Sequence, residues 1–129
     1  MAKTLLITDD ALIIREIIKD AAEIAGWEVV GQATNGQEAI DLYEQLEPDA
    51  VTLDMVMPEY DGLHALRGII ALDPEAVVVV VSALDQKNVL KAAFKIGAAD
   101  FIVKPFDKKV LLKTLEQAVA HTDPVASDA

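Results

Sequence analysis

The chain contains no cysteine, which excludes disulfide frameworks, thiolate metal sites, CxxC redox chemistry and cysteine nucleophiles together. Histidine and serine are nearly as scarce. His64, His121, Ser82 and Ser127 are the full set, so a Ser–His–Asp hydrolase would have very few parts to draw on. Neither a Walker phosphate loop nor an HExxH zinc motif occurs. The longest uncharged, largely apolar stretch, Ala76–Leu84, is about half of what a membrane-spanning helix needs. The apolar run after Lys3 ends at Asp9-Asp10, too short and too quickly acidic for a secretion signal. Basic residues are outnumbered 11 to 22 and the net charge is −11, a poor basis for direct nucleic-acid binding by phosphate neutralisation. The expectation is a cytoplasmic protein, attached neither to membrane nor to nucleic acid, whose reactive groups are mostly carboxylates.

The 129 residues suit one domain, and 53% hydrophobic with 26% charged residues is a globular composition. Short β-branched or Leu-rich runs at Thr4–Thr8, Glu28–Gln32, Ala50–Leu53, Ala76–Val81 and Phe101–Val103 alternate with longer amphipathic stretches. Ile13, Ile17, Ile18, Ala21 and Ile24 form an apolar stripe at helical spacing, and Ala39, Ile40, Tyr43 and Leu46 form a second. Thr34-x-x-Gln37 fits a capping box and Ser82-x-x-Asp85 a looser one; Asp61 and Asp107 stand where the third and fifth helices should start. Gly26 and Gly97 stand where the first and fourth should stop. Continuously apolar strands are buried on both faces, which calls for a parallel sheet covered by helices on either side. The pattern predicts a single doubly wound (βα)5 α/β domain over residues 1–120 with a five-stranded parallel sheet. Residues 121–129, polar and containing Pro124, read as a flexible tail or a linker stub.

In an open α/β sheet, ligands bind at the carboxyl ends of the strands. After the first run come Asp9 and Asp10, after the third Asp54, after the fourth Ser82, and after the fifth Lys104-Pro105. Three carboxylates, one hydroxyl and one ammonium are thereby directed to one edge. Crowded carboxylates repel, and a hard divalent cation such as Mg²⁺, which favours carboxylate, water and phosphate oxygens, removes the conflict. A carboxylate beside such an ion can attack phosphorus, because phosphoryl transfer depends mainly on positioning and charge neutralisation. An Asp at a strand end is by itself usually a helix cap; all five groups falling at the proper ends is not an expected coincidence of caps.

With Asp9-Asp10, the segment Asp54-Met55-Val56-Met57-Pro58-Glu59-Tyr60-Asp61-Gly62, Ser82-Ala83 and Phe101-Ile102-Val103-Lys104-Pro105-Phe106 in this order, the chain resembles the response-regulator receiver domains of two-component systems, close to the stand-alone chemotaxis type. The resemblance spans about residues 3–120 and implies a flavodoxin-like strand order, 2-1-3-4-5. It implies that Asp54 is the phosphoacceptor, that Asp10 binds Mg²⁺ directly with Asp9 as its water-linked neighbour, and that the Val56 backbone carbonyl is a further ligand. Ser82 takes the place of the switch hydroxyl, Lys104 that of the base pairing with the acyl phosphate, and the bond before Pro105 is cis. Phe101 stands for the aromatic rotamer switch but lacks the hydroxyl of the commoner Tyr, which leaves a switch based on packing. The family is a signalling switch that catalyses only its own phosphorylation and dephosphorylation. Its phosphodonor is a sensor histidine kinase, and a phosphatase is a further expected partner.

Val56 and Leu84, two residues beyond Asp54 and Ser82, are apolar where the family controls the approach of water to the acyl phosphate, which predicts slow self-dephosphorylation. Residues 85–115 hold seven of the eleven basic residues against three acids. Lys87, Lys91 and Lys95 repeat every four residues on one helical face, and Lys109 and Lys113 do so on the last helix. In receivers the fourth helix, fifth strand and fifth helix form the output face, so this charge predicts an acidic downstream target, such as a flagellar switch protein, in chemotaxis. Each lysine row taken alone is also an ordinary solvated helix face. His64 and His121 are expected at the surface or in caps, and Trp27 in packing at the start of the second strand. An aspartyl-nucleophile phosphatase of the haloacid dehalogenase type would require an Asp where Val56 stands. A receiver that no longer takes phosphate would have lost part of this set. A phosphorelay intermediate, or a receiver cut from a longer regulator with an output domain, is the alternative within the family.

Overall fold

A computed structural model describes residues 2–57, 61–83 and 86–122, with the side chains of His121 and Thr122 outside the description. The Leu84 assignment, that of the His121 side chain, and residues 123–129 of the expected tail lie outside it. Strands β1 (Thr4–Thr8), β2 (Glu28–Ala33), β3 (Ala50–Asp54), β4 (Val78–Ala83) and β5 (Asp100–Lys104) alternate with helices α1 (Leu12–Ile24), α2 (Gly36–Leu46), α3 (Gly62–Leu72), α4 (Lys87–Ile96) and α5 (Lys108–Thr122). All four strand pairings are parallel, in the order β2-β1-β3-β4-β5, which is the expected doubly wound arrangement.

Alternation along the strands divides the core into two layers. Leu5, Ile7, Ala50, Val79 and Ile102 pack with Ile18 of α1 and Leu111 and Leu115 of α5. Leu6, Val51, Leu53, Val78 and Val80 pack with Tyr43 of α2, Leu66 and Ile69 of α3 and Ala93 of α4. Because each strand is apolar at consecutive positions, both layers are supplied by the same short runs. Trp27 is buried in the α1/α5 layer, in line with the packing role expected for it.

Four local expectations need correction. The apolar stripe of α1 is rotated: Ile18, Ala21 and Ala22 are buried while Ile13 and Ile24 are exposed, because Ile14 rather than Ile13 meets the core. Helix α2 is capped by Asn35, whose side chain accepts the Glu38 N–H at 2.9 Å, and the Glu38 carboxylate accepts the Thr34 N–H at 3.0 Å. The capping box is therefore one residue later than Thr34-x-x-Gln37. Strand β4 begins two residues later than expected and runs through Ser82, which pairs with Val103, so Ser82 is a strand residue and not a cap. Asp54 and Lys104 are likewise the last residues of their strands rather than the first beyond them. The caps at Asp61 and Asp107 form as expected, accepting the N–H groups of His64 and Lys109, and the Lys104–Pro105 bond is cis.

Gly62 opens α3 directly beneath the end of β3. A Cβ there would stand 2.5 Å from the Asp54 carbonyl oxygen and from Met55 Cα, so only glycine lets the helix approach the Asp54 loop this closely.

Candidate functional site: an acidic cluster at the carboxyl edge of the sheet

Asp9 directly follows β1 and is 1% exposed. Its N–H donates to the Ala33 carbonyl at the end of β2, 3.1 Å away. Its own carbonyl accepts from Arg15 Nη1 at 2.8 Å. One carboxylate oxygen accepts the Ala11 N–H and the other the Lys104 ammonium, both at 2.9 Å. Asp9 is thus held at every polar atom by β2, β5, α1 and the N-cap residue of α1, Ala11. Asp10, next in the chain, is exposed.

Asp54 ends β3 and is 5% exposed. One of its oxygens accepts the Val56 N–H at 3.2 Å and the other lies 3.5 Å from Lys104 Nζ. Carboxylate oxygens of Asp9, Asp10 and Asp54 lie within 4.8 Å of one another, the one such potential metal-holding group among the described residues. Burial, and then the charge of Asp9, lifts the Asp54 carboxyl to about 6; the Lys104 charge and the Val56 N–H oppose the rise. Burial also works against the Lys104 ammonium, but its hydrogen bond to Asp9 and the two neighbouring charges leave its pKa raised overall. One ammonium therefore serves two buried acids with a third beside them.

Ser82 lies one residue past Val81, the sheet partner of Asp54. It is buried, and among the described residues its Oγ has no hydrogen-bond partner. A hydroxyl so placed favours an added acceptor. Oxygen-only donors, excess negative charge and this hydroxyl together fit a hard divalent cation such as Mg²⁺ and a phosphoryl group.

The family model for the response regulator receiver domain matches residues 5–116. The chain is a response-regulator receiver domain. It is 45% identical over 117 residues to the chemotaxis protein CheY of Thermotoga maritima, spanning 91% of this chain and 98% of that protein. It is 49% identical over 114 residues to CheY of Listeria monocytogenes, spanning 88% and 96%. Among solved structures it resembles the CheX–CheY–BeF3–Mg complex of Borrelia burgdorferi, at 32% identity and a TM-score of 0.85, covering 89% of this chain and 87% of that one. As a receiver domain it is a phosphorylatable signalling switch with chemotaxis-type relatives.

Of the remaining sequence-predicted groups of the receiver, Val56 stays beside the acids and the others are carried on β5, α3, α4 and α5. Phe101 on β5 is 40% exposed and meets Phe94 of α4 edge to face, with ring centroids 6.0 Å apart. Lys87, Lys91 and Lys95 on α4 and Lys109 and Lys113 on α5 are all exposed. Val56 is 57% exposed beside Asp54. His64 is half-buried with Nε2 3.2 Å from Gln37 Oε1. No described helix is long and apolar enough to cross a membrane. Sequence reasoning missed Arg15 and Gln32, joined at 3.0 Å, and Gln86, whose side chain accepts the Ala83 N–H at 3.0 Å. Helical spacing brings position 15 back over the Asp9 turn, but nothing local marks its distant partner on β2.

Proposed function

We propose that Asp54 accepts a phosphoryl group from a phosphohistidine of a sensor kinase, and that the resulting change is read on the α4–β5–α5 face by an acidic partner in chemotaxis or flagellar motor control. The observation that carries this reading is the shared ammonium: Lys104 Nζ lies 2.9 Å from Asp9 and 3.5 Å from Asp54, and among the described residues no other cation forms an ion pair with the three acids.

The chemistry follows from these positions. An ionised Asp54 oxygen attacks phosphorus, the P–N bond to the donor imidazole breaks, and its electron pair leaves on the ring nitrogen, giving an acyl phosphate. Asp9, Asp10, Asp54 and the Val56 carbonyl would hold Mg²⁺, which supplies charge neutralisation to the carboxylates and the phosphoryl oxygens. Since both Asp9 oxygens already accept donors, the exposed Asp10 is the acid freer to meet the ion directly. Lys104 turns from Asp54 to a phosphoryl oxygen, and the Ser82 hydroxyl donates to another. A few charge-assisted hydrogen bonds of this kind supply the ~2.7 kcal/mol that shifts a two-state equilibrium a hundredfold. Phe101, packed edge-on to Phe94, transmits the shift to a face whose exposed lysines attract acidic segments and lose grip as salt rises. The Thermotoga maritima and Listeria monocytogenes relatives, matched over 98% and 96% of their own length, are chemotaxis proteins, which supports this setting over that of a phosphorelay intermediate.

The test is intact mass after incubation with a small acyl-phosphate donor, with and without Mg²⁺, beside Asp54→Ala. One metal-dependent phosphoryl adduct, absent from the variant, is expected; no adduct on a folded wild type would favour an interaction module that does not take phosphate. Decay of the adduct tests the tuning pair, since Val56→Asn with Leu84→Glu should shorten its lifetime. An unchanged decay rate would show that Val56 and Leu84 only cover the pocket.

A further inference from the structure

The acids of the cluster are presented by the β1–α1 turn, and a turn holds a carboxylate in place only if its peptide planes are held. The Asp9–Asp10 peptide is the one that decides where Asp10 points. Its carbonyl, that of Asp9, accepts a 2.8 Å hydrogen bond from Arg15 Nη1. The same guanidinium uses Nε to reach the Gln32 side chain at 3.0 Å. Arg15 lies one turn into α1, and Gln32 lies on β2, paired with Ile7 of β1. The guanidinium therefore spans from helix to sheet and ties down the peptide plane between the two acids. Its partners are a carbonyl and an amide, and among the described residues it forms no ion pair, so its arrangement is that of a rigid fork.

We propose that Arg15, oriented by Gln32, is a positioning residue for the divalent cation: it fixes the Asp9–Asp10 peptide and so holds the Asp10 carboxylate toward Asp9 and Asp54. This rests on the functional reading above. Outer partners that orient a ligand commonly change metal affinity by about 10–100-fold when removed. Charge and positioning make opposite predictions here. Removing a cation near a cation site tightens metal binding if charge alone matters, whereas releasing the peptide plane weakens it.

Mg²⁺ binding to the full chain, measured by calorimetry with the metal alone, separates the two. Arg15→Met is expected to bind Mg²⁺ about tenfold more weakly than wild type. Arg15→Lys, which keeps the charge and reaches one partner but not both, should recover part of the loss. Gln32→Leu, which leaves Arg15 in place but unguided, should weaken binding in the same direction by a smaller factor. It decides the matter if Arg15→Met does not fold. Equal or tighter Mg²⁺ binding by Arg15→Met, or by Gln32→Leu in its stead, overturns the proposal while leaving the functional reading intact. A wild type that binds no Mg²⁺, and whose Asp10→Asn variant behaves identically, overturns both.

Discussion

The β1–α1 and β4–α4 junctions deliver side chains to the same edge of the sheet, yet they are built in opposite ways. At β1–α1 every polar atom of Asp9 has a partner, drawn from β2, β5, α1 and its N-cap Ala11. At β4–α4 the buried Ser82 hydroxyl has none among the described residues. Gln86, at the N-cap of α4, makes no side-chain cap; its amide oxygen is turned back to the Ala83 N–H. Asp9 is committed before any ligand arrives, and among the described residues the Ser82 hydroxyl is not. The function proposed above would use both: fixed acids to receive cation and phosphoryl group, and a hydroxyl that would gain its acceptor on phosphorylation.

The strongest way to break the committed side is to remove the ammonium it shares with Asp54. Lys104→Met leaves two buried acids facing each other. We expect the metal-free protein to lose about 2–3 kcal/mol at pH 7.5, read from urea unfolding, with part restored by Mg²⁺. A loss of the same size at pH 4.5, where Asp54 is protonated, would mean that Lys104 acts through packing of its stem.

Next in size is the acid itself. The folded protein holds the Asp54 proton more tightly than the unfolded chain does, with a pKa near 6. Its contribution to stability is therefore complete below the ordinary carboxylate range and is lost as pH rises through about 6. Asp54→Asn removes that slope and should stabilise the metal-free protein at pH 7.5 by up to about 2–3 kcal/mol. The gain should vanish near pH 4. A wild-type stability curve that rises steadily from pH 4 to 7 through this group would contradict the assigned burial.

The smallest effect on stability is expected at the uncommitted junction. Ser82→Ala removes a hydroxyl with no described partner, so the unfolding midpoint should move by less than the equivalent of ~1 kcal/mol. Phosphorylation of Asp54 should persist while coupling to the α4–β5–α5 face, followed through binding of an acidic peptide, disappears. Full switching in this variant would remove Ser82 from the mechanism and with it the contrast between the two junctions.

Much of this was legible in the chain. The alternation of apolar runs with helical stripes, the caps at Asp61 and Asp107, and the succession Asp9-Asp10, Asp54, Ser82, Lys104 are local or ordered features, and they suffice for a parallel (βα)5 domain with its acids at one edge. The lysines of α4 and α5 follow helical periodicity and are exposed as expected. The errors fell where neighbouring choices are nearly equal locally. Ile13 and Ile14 can both begin a stripe, and Thr34 and Asn35 can both cap α2. Packing against Ile18 and Leu115, and the reach of Glu38, settle each case.

By itself, then, the sequence determined which chemical groups arrive at the carboxyl edge and in what order, because strand and helix periods follow from residue type over short distances. Only the tertiary structure decided which of those groups are already bound and which are free. Arg15 meets Gln32 across 17 residues and Lys104 meets Asp9 across 95. Hydrogen bonds of that separation depend on how five strands stack side by side, a geometry set by the whole core and by no local segment of the chain.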